Sequence, residues 1–362
     1  MLVSPAGSGK TVMAAAALYK VLASKPRTRK VRVGWVANTK EQCQQAEAAL
    51  AMFPIRGAGS GEGLATVTVR CAAAGTDWSD RDVLVVDECH HAPAPEWRAQ
   101  IESCPGARWG MTATPDFEGD DAPDKAQALV DLFGPDRYVV PRAAVAHRVA
   151  KARVVLLDPE WLPGTAERID AETERVYAYR VKRWGGDPFQ LRAMVWWQKC
   201  VEVGIVANQS RTDAALAAAC GHVSRGDSVL VLVNQVEHAK AFADCIGGAV
   251  ACYSGMGAKA RRHALYDFKQ GKLKCLVATS LADEGLDVPR ANVLVLVSGG
   301  KSRAKAEQRT GRVLRAFAGK AEGLIYDFKD GAHRLMAKHA QKRIALYREL
   351  GYEIVDSGGA MV

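Results

Sequence analysis

Short runs of consecutive apolar residues alternate along this chain with longer stretches in which apolar residues recur at helical spacing. An uninterrupted apolar run is typical of a strand covered on both faces, as in the parallel sheets of α/β proteins. The pattern therefore predicts an α/β fold with parallel sheets and flanking helices. Strands are predicted at Val31–Ala37, Val83–Val86, Val229–Val233, Cys275–Ala278, Val293–Val297 and Leu324–Phe328, and helices at Val12–Ala23, Lys40–Met52, Val236–Cys245, Lys259–Lys269 and Ser302–Leu314.

The alternation is interrupted once, between Thr165 and His222, where only helical sequence is found. Since 362 residues exceed what one compact core usually holds, we predict two tandem α/β domains. The first comprises residues 1–146 and the second residues 223–362. Residues 147–222 are predicted to form a connecting strand and a helical insert that opens the second domain. We expect the paired Trp196 and Trp197 to pack within this insert and not to form a platform for stacked bases.

A last helix is predicted at His333–Leu350, with Gly351 as its C-terminal cap. The helical spacing separates an apolar side from a basic one. The apolar side carries Met336, Ala340, Ile344 and Tyr347, and Lys338, Lys342, Arg343 and Arg348 are expected mostly elsewhere.

A glycine-rich segment, Ser4-Pro-Ala-Gly-Ser-Gly-Lys-Thr11, follows a short apolar stub and leads into an alanine-rich helix. Such a loop binds phosphate because its backbone N–H groups and the helix N-terminus attract an anion. A strict P-loop has glycine where Ser4 stands, so this is a variant of the pattern. Lys10 would reach the β- and γ-phosphates, and the Thr11 hydroxyl would bind Mg²⁺. The residues predicted to bind the phosphates are Ala6, Gly7, Ser8, Gly9, Lys10 and Thr11.

Two adjacent carboxylates, Asp87 and Glu88, end the apolar run Val83–Val86. Downstream of a phosphate-binding loop, this arrangement predicts that Asp87 binds Mg²⁺ and that Glu88 orients and deprotonates the attacking water. Cys89 and His90 follow directly, but neighbouring positions cannot easily converge on one tetrahedral ion, so we do not expect zinc.

Composition is that of a globular protein, with 48% hydrophobic and 25% charged residues. No apolar run approaches the length of a membrane span, and no signal peptide is recognisable. The nine cysteines are scattered without a CxxC pair, which is typical of reduced, mostly buried thiols in a cytoplasmic protein.

The net charge is +9 and is concentrated near the C-terminus. Between Lys301 and Arg348 there are thirteen Lys or Arg and four acidic residues, a difference that equals the whole excess. By itself this charge indicates either a solvated helical face or a surface that attracts a polyanion.

The chemistry-bearing segments together resemble the motifs of superfamily 2 helicases, in the order typical of that family. Asp87-Glu-Cys-His90 resembles the DExH box, and Gln308–Arg315 matches the QxxGRxxR form of motif VI. The resemblance covers nearly the whole chain and is nearer to the bacterial and phage DNA-helicase branch than to the DEAD-box RNA helicases. Thr39–Gln42, Thr112–Thr114, Val229–Gln235 and Thr279–Asp287 resemble motifs Ia, III, IV and V.

This resemblance implies two RecA-like domains with ATP and Mg²⁺ held in the cleft between them. Arg312 and Arg315 would be arginine fingers that stabilise charge on the γ-phosphate in the transition state. Gly285, Asp287 and Gln308 would line the nucleotide site. The residues implied in nucleic-acid contact or coupling are Thr39, His90, Thr112, Thr114 and Thr279.

The predicted function is a nucleic-acid-dependent ATPase that acts as a helicase or translocase, with DNA favoured over RNA. Three alternatives stay open: an RNA helicase, a nucleotide-gated binding module with weak hydrolysis, and the motor subunit of a restriction or repair complex. Family members have sequence before the P-loop, whereas only Met1–Val3 precede Ser4 here. We expect this stub to be a short strand at the centre of the sheet, and the chain to hydrolyse ATP poorly unless extended upstream.

Overall fold

The structure is a computed structural model that describes residues 1–362 except 6, 25–28, 57–62, 116, 118–121, 146–149, 185–186, 254, 280–287, 316 and 318. The described residues divide into two compact units, one before Ala150 and one from Ala150 onward. Each unit contains one sheet, and all its neighbouring strands run parallel. The predicted α/β class with two parallel sheets is therefore confirmed.

The first unit has six strands in the order β3-β2-β4-β5-β1-β6. Its strands are β1 (Leu2–Val3), β2 (Val31–Ala37), β3 (Ala65–Cys71), β4 (Val83–Asp87), β5 (Ala107–Thr112) and β6 (Tyr138–Val139). Its helices are α1 (Lys10–Ala23), α2 (Lys40–Ala51), α3 (Pro95–Glu102), α4 (Ala122–Phe133) and α5 (Arg142–Val145). Contrary to our expectation, β1 lies one place in from the edge of the sheet and not at its centre.

Two apolar layers enclose this sheet and explain its uninterrupted apolar runs. In β4, Val85 packs in one layer together with Leu18 and Leu50, which belong to α1 and α2. The neighbouring Leu84 and Val86 pack in the other layer, with Ile101 of α3 and Leu132 of α4. Successive side chains of a strand point to opposite faces, so a strand buried on both faces needs apolar residues at every position.

The second unit has seven strands in the order β13-β7-β12-β11-β8-β10-β9. Its strands are β7 (Lys151–Leu157), β8 (Val229–Leu232), β9 (Ala249–Cys252), β10 (Cys275–Ala278), β11 (Val293–Leu296), β12 (Glu322–Phe328) and β13 (Glu353–Asp356). The strand predicted as a connector, β7, pairs with both β12 and β13 and is thus an inner strand of this sheet.

The helical insert and the last helix are confirmed. The insert comprises α6 (Thr165–Trp184), α7 (Pro188–Lys199), a π-helical segment (Cys200–Val206) and α8 (Gln209–Ser224). The remaining helices are α9 (Val236–Cys245), α10 (Ala258–Gln270), α11 (Arg303–Val313) and α12 (Arg334–Glu349). Gly351 follows α12 with φ 70°, the left-handed conformation expected of a cap glycine. None of the described helices combines the length and apolar character needed to cross a membrane.

One prediction about α12 is wrong. Met336, Ala340 and Tyr347 are buried as expected, but Arg343, which was expected away from the apolar side, is only 3% exposed. Its guanidinium donates two hydrogen bonds to the Asp327 carboxylate, at 2.8 and 2.9 Å. A buried arginine is tolerated when such a paired carboxylate compensates its charge.

Candidate nucleotide and nucleic-acid site

The predicted motifs of the first unit meet at one edge of its sheet. The glycine-rich loop follows β1, Glu88 follows β4, and Thr112 ends β5. These three strands are neighbours in the order β4-β5-β1, and both Val3–Thr112 and Asp87–Met111 are in register. Because the carboxyl ends of parallel strands share one edge, the fold brings the three motifs together. Ligands of open α/β sheets bind at this edge.

The loop after β1 has the geometry of an anion cradle. Gly7 and Gly9 have φ of 79° and 88°, a left-handed conformation that glycine adopts without steric cost. Gly9 is the N-cap of α1, and in the described part of the loop no side chain caps its first-turn amides. Those amides therefore remain available to a phosphate.

Ser4, the departure from the strict P-loop pattern, is accommodated by local hydrogen bonds. Its side chain is buried, and its Oγ lies 2.6 Å from the Oγ of Ser8. Its backbone N–H donates to the carbonyl of Thr112 at 3.1 Å. A glycine would lack this hydroxyl contact. Ser4 therefore stabilises the loop through Ser8, and Gly7 and Gly9 keep the backbone conformation of the pattern.

The chemistry of Asp87 fits a metal ion. This carboxylate is 5% exposed, and its Oδ1 accepts a hydrogen bond from the N–H of Glu88 at 2.9 Å. Burial, reinforced by the charge of Glu88 and opposed by that of Lys10, raises the pKa of Asp87 to about 7. A divalent cation would remove this cost by stabilising the ionised form.

Glu88 is held in a strained backbone conformation. Its φ and ψ are both 50°, the left-handed region that glutamate rarely occupies. Such strain at a candidate site is a pointer to function. Its Oε2 is buried and has no hydrogen-bond partner among the described residues. His90 Nδ1 lies 3.5 Å away, but burial and the neighbouring His91 lower the pKa of His90 to about 4, so this contact is not an ion pair at neutral pH.

His90 and the threonines of the predicted motif III are directly linked. The Thr112 Oγ1 lies 3.0 Å from His90 Nδ1 and accepts a hydrogen bond from the Thr114 N–H at 3.1 Å. Thr112 is fully buried, and the buried Thr114 hydroxyl has no partner among the described residues. The DExH segment and the strand-end threonines thus form one hydrogen-bonded unit.

Thr39 has a local structural role. It is the N-cap of α2, and its Oγ1 accepts a hydrogen bond from the Gln42 N–H at 3.2 Å, while the Gln42 side chain accepts from the Thr39 N–H at 3.0 Å. This reciprocal capping box positions the start of α2 beside the end of β2. A nucleic-acid contact of Thr39 stays a prediction.

In the second unit the predicted motif residues lie at different ends of the parallel strands. Thr279 is buried at the carboxyl end of β10, with its N–H bonded to the carbonyl of Cys252. Gln308 and the buried Arg312 lie on α11. Leu314, between Arg312 and Arg315, accepts a hydrogen bond from the N–H of Ala150, immediately before β7. The turn that carries the two arginines therefore lies near the amino ends of β7 and β12.

Close packing at Gly323 positions this turn. A Cβ on Gly323 would lie 2.6 Å from the carbonyl oxygen of Val313 and 2.6 Å from Leu314. Since a backbone oxygen cannot rotate away, we expect Gly323→Ala to lower the free energy of unfolding by about 1–3 kcal/mol. Chemical denaturation would measure this loss. Gly331→Ala is the matched control, because a Cβ there meets no atom within 4 Å; equal midpoints for both variants would contradict the prediction.

Three predicted site residues, Ala6, Gly285 and Asp287, lie outside the described residues. The sequence does not predict the Ser4–Ser8 contact or the left-handed backbone of Glu88. No local sequence pattern predicts either feature, because both depend on how the ends of the strands meet in the folded sheet.

Comparisons with known proteins agree with the motifs. The model of the family described as "Helicase conserved C-terminal domain" matches residues 211–317, and that of "Type III restriction enzyme, res subunit" matches residues 73–117. The DNA 3'-5' helicase XPB of Mycobacterium tuberculosis is 25% identical over 283 residues, which cover 76% of this chain and 45% of that protein. The DNA 3'-5' translocase XPB2 of Sulfurisphaera tokodaii is 24% identical over 252 residues, which cover 64% of this chain and 55% of that protein. The chain thus spans about half the length of these relatives.

Solved structures resemble the fold along nearly the whole chain. Dbp5 of S. cerevisiae, bound to RNA and ADP BeF3, is 13% identical with a TM-score of 0.56, and the match covers 98% of this chain and 84% of that one. The Hef helicase domain of Pyrococcus furiosus is 17% identical with a TM-score of 0.50, covering 97% and 94%. Both units therefore have the RecA-like architecture that the resemblance implied.

Proposed function

Because the chain belongs to the superfamily 2 helicases, we propose that it is an ATP-driven motor that moves along nucleic acid, with DNA as the preferred polymer. The observation that carries the proposal is the convergence of the glycine-rich loop, Asp87-Glu88 and Thr112 at adjacent strand ends. Relatives named as DNA 3'-5' helicases and translocases support DNA over RNA.

In this proposal the first unit binds the triphosphate. The N–H groups of Gly7 and Gly9 and the Lys10 ammonium hold the phosphates. Thr11 and Asp87 are the residues that would hold Mg²⁺, which supplies positive charge at the phosphate oxygens when bound. Glu88 orients and deprotonates the water that attacks the γ-phosphorus, and ADP and phosphate are the products.

The second unit contributes charge and coupling in the proposal. Arg312 and Arg315 stabilise the charge that develops on the transferring phosphoryl group, and Gln308 lines the nucleotide. Gly285 and Asp287 are assigned to the nucleotide on the motif alone. The proposed contacts to the strand, or between the strand and the ATP site, are Thr39, Thr112, Thr114 and Thr279, with His90 linked to them through Thr112.

The test is ATP hydrolysis measured in parallel with single-stranded DNA, duplex DNA and RNA. We expect DNA to stimulate hydrolysis several-fold more than RNA does. The apparent DNA affinity should fall steeply with salt, because backbone contacts release counterions. Stimulation by RNA alone would replace the DNA assignment with an RNA helicase. Nucleotide binding with no hydrolysis under any condition would contradict the motor and support the nucleotide-gated binding module.

A further inference from the structure

A groove of about 770 Å³ lies in the second unit, at the carboxyl ends of β8 and β11. Helix α7 of the insert forms one wall and α12 forms another, so we call it the α7–α12 groove. About half of its lining comes from these two helices, which lie outside the motifs assigned above; Val233 and Asn234 of the predicted motif IV and Arg309 of motif VI also line it. The residues that matter to the argument are Phe189, Trp197, Lys301, Lys338 and His339.

The α7–α12 groove is strongly cationic. Lys301 and Lys338 are exposed on its rim, Lys305, Arg309 and Lys342 also line it, and its described lining includes no Asp or Glu. The pKa of His339, which lines the groove, is lowered to about 4, first by burial and then by the charges of Arg343, Lys301, Lys342 and Lys338. A concave surface with one sign of charge concentrates counter-ions of the opposite sign.

His339 is an unsatisfied polar group in this groove. It is 6% exposed, and its Nδ1 has no hydrogen-bond partner among the described residues. A neutral imidazole offers one donor and one acceptor, so a ligand in the groove could supply the missing partner. The ring of His339 also lies 4.8 Å from that of Trp197, at 53°.

The same groove exposes large apolar side chains to water. Phe189 is 81% exposed and Met194 is 55% exposed, although both belong to a well-formed helix. Trp196 and Trp197 pack against the core of the unit, as the sequence predicted, but also line the groove. Aromatic faces interleaved with lysines are what proteins use to bind single strands, because bases stack on the rings and phosphates contact the ammonium groups.

We propose that the α7–α12 groove binds a segment of single-stranded nucleic acid, with its phosphates at Lys301 and Lys338 and separate bases against Phe189 and Trp197. Trp197 thereby takes a stacking role that the sequence did not predict. This inference rests on the proposed function, because the bound segment is part of the strand along which the motor moves. It adds the helical insert and the last helix to the surface that binds nucleic acid. Part of the positive charge near the C-terminus, that of Lys301 and Lys338, then binds phosphates.

The experiment measures binding of a fluorescently labelled single-stranded oligonucleotide by anisotropy at several salt concentrations. We expect Phe189→Ala to weaken binding about tenfold, through loss of a stacked base. Lys338→Ala should weaken it and should reduce the slope of log affinity against log salt by about 0.7, one phosphate contact. Both side chains are exposed, so neither variant should unfold the unit.

Lys272→Ala is the matched control, since Lys272 is an exposed lysine just before β10, at the amino ends of the strands, whereas the groove lies at their carboxyl ends. It should keep the wild-type affinity and salt slope. Wild-type binding in both groove variants would overturn the inference, while DNA-stimulated hydrolysis by the unaltered chain would leave the motor proposal standing. Full displacement of the oligonucleotide by an equal concentration of a mononucleotide would also overturn it, because the groove would then be a mononucleotide site.

Discussion

Replacing Glu88 with glutamine is expected to lower the rate of ATP hydrolysis by about 10²–10⁴-fold while ATP still binds, because glutamine keeps the shape of the side chain but cannot accept a proton. The structure supports this role through Glu88 itself. Its backbone is held in a left-handed conformation directly after β4, and its buried Oε2 has no partner among the described residues.

The substitution should affect hydrolysis and not ATP binding, because Glu88 acts on the attacking water and other residues bind the phosphates. Asp87, Lys10 and the glycines of the loop are unchanged in the variant, so the groups that bind the phosphates remain. Steady-state hydrolysis with and without single-stranded DNA would measure turnover, and titration with a fluorescent ATP analogue would measure binding. Glu96→Gln is the matched control, as Glu96 is an exposed acid in the first turn of α3. Turnover of Glu88→Gln close to that of the control would remove Glu88 from the catalytic role.

The sequence predicted the inner strands better than the edge strands. Cys275–Ala278 and the run from Val83 have the predicted positions because burial on both faces demands apolar residues throughout. Four strands that the pattern missed, β3, β6, β9 and β13, lie at sheet edges. An edge strand is less covered and tolerates polar residues, as Thr66 and Arg70 of β3 illustrate.

The inner strand β5 was missed for a different reason. Its sequence contains Gly110, which a strand pattern disfavours. In the structure a Cβ at this position would lie 2.9 Å from Cys89 Sγ, so the glycine allows the segment after β4 to pack closely on β5. Such a requirement arises only when segments distant in sequence meet.

The candidate site of the first unit was largely predictable, because the carboxyl ends of neighbouring parallel strands must share an edge. The burial of Arg343 in α12 was not predictable in this way. Arg343 looked like one of several surface cations, yet its partners Asp327 and Asp330 precede it by 16 and 13 residues, and Asp330 also pairs with Arg211 of the distant α8. No local pattern distinguishes a cation that finds such partners from one that stays in water.

Breaking the buried ion pair between Arg343 and Asp327 is expected to have the second large effect, on the stability of the fold. Arg343→Met is expected to lower the free energy of unfolding by about 3–5 kcal/mol, because it leaves the Asp327 carboxylate buried without its counter-ion. The Arg343 guanidinium also donates to the carbonyl of Gly300 at 2.7 Å, and Tyr347 donates to Asp327 at 2.8 Å. Arg348→Met, at an exposed position of the same helix, is the control and should change stability by less than about 0.5 kcal/mol.

The pH dependence of this loss has a definite sign. Burial alone would raise the pKa of Asp327, but the attraction and hydrogen bonds of Arg343 outweigh it, so the pKa is lowered. A carboxylate with a lowered pKa stabilises the folded state above its unfolded pKa of about 3.9, and this stabilisation is lost as the pH falls through the folded value. The difference between the wild type and Arg343→Met should therefore be largest near neutral pH and should shrink in acid.

Urea denaturation of both proteins between neutral and acidic pH would measure that difference. The double variant Arg343→Met with Asp327→Asn separates charge burial from lost packing. If the unpaired carboxylate is the cause, neutralising it should recover part of the loss at neutral pH and remove the pH dependence of the difference. A double variant as unstable as Arg343→Met at every pH would show that packing of the arginine side chain, and not its charge, stabilises α12 against the sheet.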